Sequence, residues 1–252
     1  MSNFFRQFPI VDYTFGEETS TNRFQNLSTY IDLFDQVQDG VPFYEKYTIL
    51  DYDRPDTLSF KLYGTTDYHW TFFLLNHHMR EGGWPVTNME VYSLAQTYYP
   101  HVTVVTEDPI STTFFVGTEV TSTSTGITGT VIERNLDMGQ IVICTGGCDG
   151  GSDPQFEDGE QLQYFDTEVD AVRSLTIMSQ SPQYLAAHHY EDTDGLTVDI
   201  NPYDQQNVGY NKITELERLQ RRNDELKQIK VLKKSNIDGI VGEYFALLGN
   251  NR

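Results

Sequence analysis

The stretch DTLSFKLYGTTDYHWTFFLLN, residues 56–76, sets the terms on which the rest of the chain is read. Asp56 or Thr57 can cap a helix through SFKLY, and Gly64 can end it in the left-handed turn that glycine adopts without strain. Thr66 or Asp67 then caps a second helix, TTDYHWTFFLLNHH, with Trp70, Phe73, Leu74 and His77 toward one side. Six aromatics fall within these residues, which raises three possibilities: a catalytic site, a sugar platform or a structural joint. Trp70 and Phe73, on one helix side, are read as core, because large aromatics at helical spacing are mostly buried.

On either side the pattern stays mixed. PFYEKYTIL, residues 42–50, reads as a strand, and TNMEVYSLAQTYY, after GGWPV, as a third helix with Thr87 and Glu90 as a capping box. Upstream, Phe24, Leu27, Ile31, Phe34 and Val37 recur at spacings of three and four, which predicts an amphipathic helix over residues 22–37. The leading FFRQFPIVDY, with Phe4 and Phe5, reads as an extended arm for a partner.

From residue 101 to 165 Thr, Gly and Val dominate in short β-branched runs between turn residues, which predicts a small all-β unit. FFVGTEV and QFEDGEQL echo one another within it and suggest paired hairpins. A strand and a loop-rich connector, residues 166–210, lead to a predicted helix over 213–234 with a stripe of Leu216, Leu219, Leu226, Ile229 and Leu232. At 1.5 Å per residue such a helix would reach about 33 Å. Ser235 with Asp238 would cap a last helix ending near Leu248.

The chain has 252 residues with 37 acidic and 17 basic side chains, a formal charge of −20. That charge repels phosphate backbones and anionic membranes, so nucleic acid and membrane are not expected partners. Residues 212–234 run against the trend, with eight basic and four acidic side chains, +4 against −24 elsewhere. A docking role for this segment is expected, with Arg218, Arg221, Arg222, Lys227 and Lys230 as its contacts; a solvated helix face is the alternative. The N-terminus has no signal-peptide pattern and no apolar run approaches a membrane span, so a cytosolic product without an anchor is expected.

Chemistry-bearing motifs are sparse. Cys144 and Cys148, in CTGGC, lack the CxxC spacing of redox or zinc sites and are read as two thiols. The adjacent pairs His77–His78 and His188–His189 are expected to point apart, and CDGGSDPQFEDGE lacks the oxygen register of an EF-hand. No phosphate loop, GxSxG elbow or HExxH occurs. The expectation is no enzyme, no cofactor and no metal.

YTILDYDRPDTLSFKLYGTTDYHWTFFLLN resembles the LysM pattern, matched at Tyr47, Asp56, Thr57, Leu58, Tyr63, Gly64 and Asn76. It departs after Asn76, where no second strand follows. Together with GGWP and NDELKQIKVLKKSNIDGIVGEYFALL, the chain resembles more widely the baseplate wedge protein fifty-three family of contractile-tailed, T-even-like bacteriophages. The matches cover roughly residues 40–100 and 205–248, with Trp70 also at a matching aromatic position.

The expected architecture is α+β: an N-terminal arm and helix (1–41), a LysM-like core (42–100), a β-rich domain (101–165) that has no counterpart in the resemblance and reads as inserted, a connector (166–210) and C-terminal docking helices (211–252). The resemblance implies a structural virion protein of the tail baseplate, made in the host cytoplasm, that clamps neighbouring wedge subunits and helps wedges close around the hub during virus assembly. Its partners would be other wedge and hub or tube proteins, in six copies or a multiple of six. Trp84 joins Phe4, Phe5 and the basic residues as expected partner contacts. Two rivals stay open: a LysM-type peptidoglycan-binding module, and a LysM-bearing cell-wall hydrolase.

Overall fold

In the computed structural model, the described residues are 10–14, 16, 20–25, 43–145, 156–204 and 209–250, with side chains described to 246. Phe4, Phe5, most of the expected helix over 22–37 and most of the CDGGSDPQFEDGE stretch lie outside them.

The described elements are mixed α and β. In chain order they are β1 (Ile10–Tyr13), β2 (Asn22–Gln25), β3 (Tyr44–Thr48), α1 (Pro55–Tyr63), α2 (Trp70–Leu75), α3 (His77–Gly82) and α4 (Asn88–Tyr98). Then come β4 (Val102–Val105), β5 (Glu119–Ser122), β6 (Thr128–Asn135), β7 (Gln140–Thr145), β8 (Gln161–Asp166), β9 (Ala171–Thr176) and β10 (Ser179–Pro182). β11 (Ala187–Glu191), β12 (Thr197–Val198), β13 (Asn211–Thr214), α5 (Glu215–Lys227), β14 (Gln228–Leu232) and α6 (Ile237–Asn250) complete the chain.

The chain divides into two compact units, Met1–Thr87 with Asn223–Arg252, and Asn88–Arg222. The first is therefore discontinuous in sequence. Its centre is a two-stranded antiparallel sheet in which β14 pairs with β3 from Gln228↔Thr48 to Leu232↔Tyr44. Leu58, Phe72, Met79, Ile229 and Val231 form one buried cluster beside it, and Trp70, Leu74, Leu232, Ile237 and Tyr244 another.

Several local expectations change here. α1 begins earlier than expected, capped two residues before Asp56: Arg54 is the cap residue, Pro55 opens the helix, and the Thr57 hydroxyl accepts the Arg54 N–H at 2.9 Å. Proline fits there because its missing N–H would be unsatisfied in any case. Gly64 does close the helix with φ +83°, donating to Phe60 O. The second helix is broken, because Asn76 is extended and separates α2 from α3. The 22-residue basic helix is replaced by β13, the shorter α5 and β14. Beyond Lys227 the alternation of exposed Gln228, buried Ile229, half-buried Lys230 and buried Val231 is a strand pattern, and β3 supplies the partner that realises it. At the other end, Asn22–Gln25 is a strand paired with β1 rather than the start of a helix.

The second unit is built on a seven-stranded antiparallel sheet ordered β10-β4-β7-β6-β5-β8-β9. It buries Val102, Val104, Val120, Val131, Ile141, Ile143 and Leu162 on one face. β5 and β8, which carry the FFVGTEV and QFEDGEQL echo, lie side by side through Thr121↔Gln163 and Ser122↔Leu162. The β-rich part runs past the expected limit of residue 165: β9 and β10 belong to this sheet, and the expected loop-rich connector also supplies β11 and β12 to a three-stranded sheet, β12-β11-β13. Cys144 is disulfide-bonded, not a thiol; its partner lies outside the described residues.

Candidate functional site: the β3–β14 sheet and its basic cavity

β14 is held by side chains from α1 and the α2 end as well as by β3. Asn76, buried, donates from Nδ2 to Phe72 O (2.7 Å) and Lys230 O (2.9 Å), and its Oδ1 accepts the Lys230 N–H (2.8 Å). The Tyr63 hydroxyl donates to Leu232 O at 2.9 Å. Burial, and then the Glu45 carboxylate, push the Tyr63 pKa well above its ordinary value. An asparagine amide presents the same donor and acceptor as a peptide unit, so Asn76 takes the place of a third strand along the outer edge of β14.

This bonding fixes where the lysines point. Lys230 turns its N–H and C=O toward Asn76, whereas Lys227 O accepts from Ile49 N and Lys233 N donates to Phe43 O on the β3 side. The pair Lys230↔Lys46 is therefore of the non-hydrogen-bonded kind, in which facing side chains approach most closely. Tyr47, Ile229 and Val231 face the core, leaving Lys46 and Lys230 on the other face. The Lys230 ammonium lies 4.8 Å from the Tyr44 ring centroid.

Beside these lysines is a cavity of about 470 Å³ lined by Lys46, His77, His78 and Lys230, with Leu75, Asn76, Gln228 and Ile229 completing it. Among the described residues, no acidic one lines it. The two histidines, expected to diverge, both reach it from the start of α3.

The other expected contacts are mostly engaged within the chain. Arg218 bonds Glu215 and the Tyr99 hydroxyl; burial opposes its charge, and Glu215 overcomes this and raises its pKa. Arg221 pairs with Glu191 and Glu217, and its hydrogen bonds hold the Glu191 carboxyl below its usual range. Lys227 pairs with Asp224 at 3.0 Å and Asp51 at 3.6 Å, with its pKa raised chiefly by Asp224. Trp84 donates to Asp53 O at 2.7 Å and packs on Phe72 and Phe73, so it belongs to the core of its unit. Arg222 is the member of the set that is exposed and has no side-chain partner among the described residues.

The LysM-pattern residues share the first unit. Leu58 and Trp70 are core, with Trp70 ring centroids 5.2 Å from Tyr244 and 5.7 Å from Phe245. Asp56 pairs with Arg54 at 3.4 Å. The aromatic density of residues 56–76 is thus spent largely on packing against the C-terminal segment.

In the second unit a cavity of about 340 Å³ lies on the sheet face opposite the core, where Thr103, Val142 and Glu133 form a row across β4, β7 and β6. The Thr103 Oγ is buried there without a hydrogen-bond partner among the described residues. His188 also lines it, with its pKa lowered by burial. A register shift between Ala187 and His189 brings the His188 and His189 rings together, Nδ1 to Nδ1 2.8 Å, where regular pleating would separate them.

Among the described residues no group of three or more His, Cys, Asp or Glu is placed to hold a metal, and no helix is long and apolar enough to cross a membrane. No protein-family model matches the chain, and no curated protein matches it.

Proposed function

We propose that the chain is a non-enzymatic structural subunit of a contractile-tail baseplate wedge, which binds neighbouring wedge components and helps wedges close around the hub. One observation carries this reading. The two segments that resemble the wedge family, near residues 40–100 and 205–248, are far apart in sequence yet contribute β3 and β14 to one sheet, while most of the unmatched stretch is a separate unit. A shared fold with an independent insertion explains such a split match.

The decisive experiment is reconstitution of baseplate wedges with and without the purified chain, followed by electron microscopy. Incorporation at a fixed wedge position is expected; wedges that close normally while the chain stays in the free fraction would sink the proposal.

A second reading gains support from a single feature. The LysM-like pattern lacked a second strand after Asn76, and β14, from the C-terminal segment, pairs with β3 in its stead beside α1, α2 and α3. Retention on insoluble peptidoglycan, with no uptake into wedges, would favour that module instead.

A further inference from the structure

We infer that the cavity between Lys46, Lys230, His77 and His78 is a carboxylate-binding site that receives an acidic segment of a partner protein. The inference rests on the docking reading above and specifies the chemistry of the partner.

Three observations carry it. First, the lining holds two ammonium groups, two imidazoles and, among the described residues, no carboxylate, on a chain whose formal charge is −20. Three cations of the basic segment, Arg218, Arg221 and Lys227, have intramolecular acidic partners; Lys46 and Lys230 have no carboxylate within ion-pair distance among the described residues.

Second, the two lysines are set opposite one another in the close-approach register, with the Lys230 backbone pinned by Asn76. Like charges directly opposite on a sheet are destabilising, and an anion between them turns that repulsion into attraction. Third, the lining also includes Leu75, so the cavity offers apolar surface to the aliphatic part of an acidic side chain as well as cations to its carboxylate.

The same chemistry would accept a phosphate group, but not in the form of nucleic acid. A polyanion running on beyond the cavity would meet the negative remainder of the chain, whereas a short acidic segment on a protein need engage only the cavity.

The test uses the full-length chain and three probes: a hexaglutamate peptide, inorganic phosphate and a single-stranded hexanucleotide. Titration calorimetry at low salt is combined with NMR of histidine-labelled protein. Hexaglutamate is expected to bind, to shift two of the six histidine signals, and to weaken as salt rises. The double variant Lys46→Gln/Lys230→Gln should lose about tenfold in affinity, the sum of two partly exposed ion pairs. Lys234→Gln, an exposed lysine outside the lining, should bind as the wild type does.

The double variant should melt no lower than wild type, since it relieves a like-charge pair; Lys46→Gln alone, with a smaller loss of affinity, is the check should the double variant misfold. The proposal is overturned if hexaglutamate does not bind, if the lysine variants bind it unchanged, or if phosphate or the hexanucleotide binds more tightly at the same histidines. Wedge incorporation without hexaglutamate binding would remove the carboxylate site and leave the docking reading standing. Hexaglutamate binding without incorporation would do the reverse.

Discussion

Replacing Asn76 with alanine should release β14 from the rest of its unit. The side chain is 3% exposed and makes three hydrogen bonds, to Phe72 O, Lys230 O and from the Lys230 N–H. Alanine leaves all three backbone groups without that partner. An unsatisfied buried polar group costs about 1–3 kcal/mol, but the adjoining cavity lets water reach the Lys230 groups, so the low end applies to two of the three. The sum is about 3–5 kcal/mol, a large share of the roughly 5–15 kcal/mol that holds a typical domain together.

Urea denaturation would measure the loss, and hydrogen exchange at Ile229 and Val231 would locate it. Asn76→Asp is the sharper variant. Its carboxylate can still accept the Lys230 N–H, yet it also faces two carbonyl oxygens, which should raise its folded-state pKa above the unfolded value near 3.9. Its penalty is then present in full above the folded pKa and disappears as pH falls below the unfolded one. A loss below about 1 kcal/mol for Asn76→Ala, with exchange at Ile229 and Val231 unchanged, would refute the role given to this side chain.

Three further outcomes follow from the same geometry. Glu160 is buried and accepts from Ser124, Thr125 and the Glu157 N–H; burial opposes its ionisation, but these bonds win and lower its pKa. Its contribution is therefore present above about pH 4.5 and lost as pH falls through the lower folded value; Glu160→Gln should cost about 1–3 kcal/mol at neutral pH and flatten the acid limb of a stability–pH curve. Thr103→Val removes a buried hydroxyl that lacks a partner among the described residues, so its melting temperature should equal or exceed wild type, and a clear drop by calorimetry would show that the hydroxyl is engaged. Arg221→Glu should lower the melting temperature by setting a third carboxylate beside Glu191 and Glu217, whereas Arg222→Glu should not; wedge-binding assays should therefore use Arg222→Glu, since Arg221→Glu confounds docking with folding.

Local signals were legible where one short stretch decides the conformation. Gly64 ends α1 with a positive φ because few other residues can, and the β-branched runs after residue 101 form the sheet their composition suggests. Strand β14 was not legible, because Leu226, Ile229 and Leu232 also fit a helical stripe continuing from Leu216 and Leu219. What selects the strand is β3, with Thr48 and Gln228 separated by 180 positions. The basic cavity was hidden for the same reason: Lys46 and Lys230 become neighbours only once that register is known. The intramolecular partners of the expected docking residues were hidden as well, since charge counting does not reveal that Arg221 meets Glu191 across 30 positions.

The discontinuous unit raises the question of how its two segments find one another. Asn88–Arg222 makes a 135-residue detour between them. Against a hairpin-length connection of about six residues, closing a flexible loop of that length costs about 3 kcal/mol more, from (3/2)RT ln of the length ratio. Two asparagines act at the points where that cost falls. Asn76 bonds both backbone groups of Lys230 at 2.8 and 2.9 Å, and Asn223, also buried, bonds both backbone groups of Val86 at 2.9 Å. Val86 is the last residue but one before the detour and Asn223 the first after it, so this pair closes the neck at the level of the backbone. A detour that folds on its own, around the buried face of its own sheet, reduces the chain entropy still to be lost when the neck closes. The insertion can then be large without weakening the sheet it interrupts, and β14 can carry Lys230 into register with Lys46 although most of the chain lies between them.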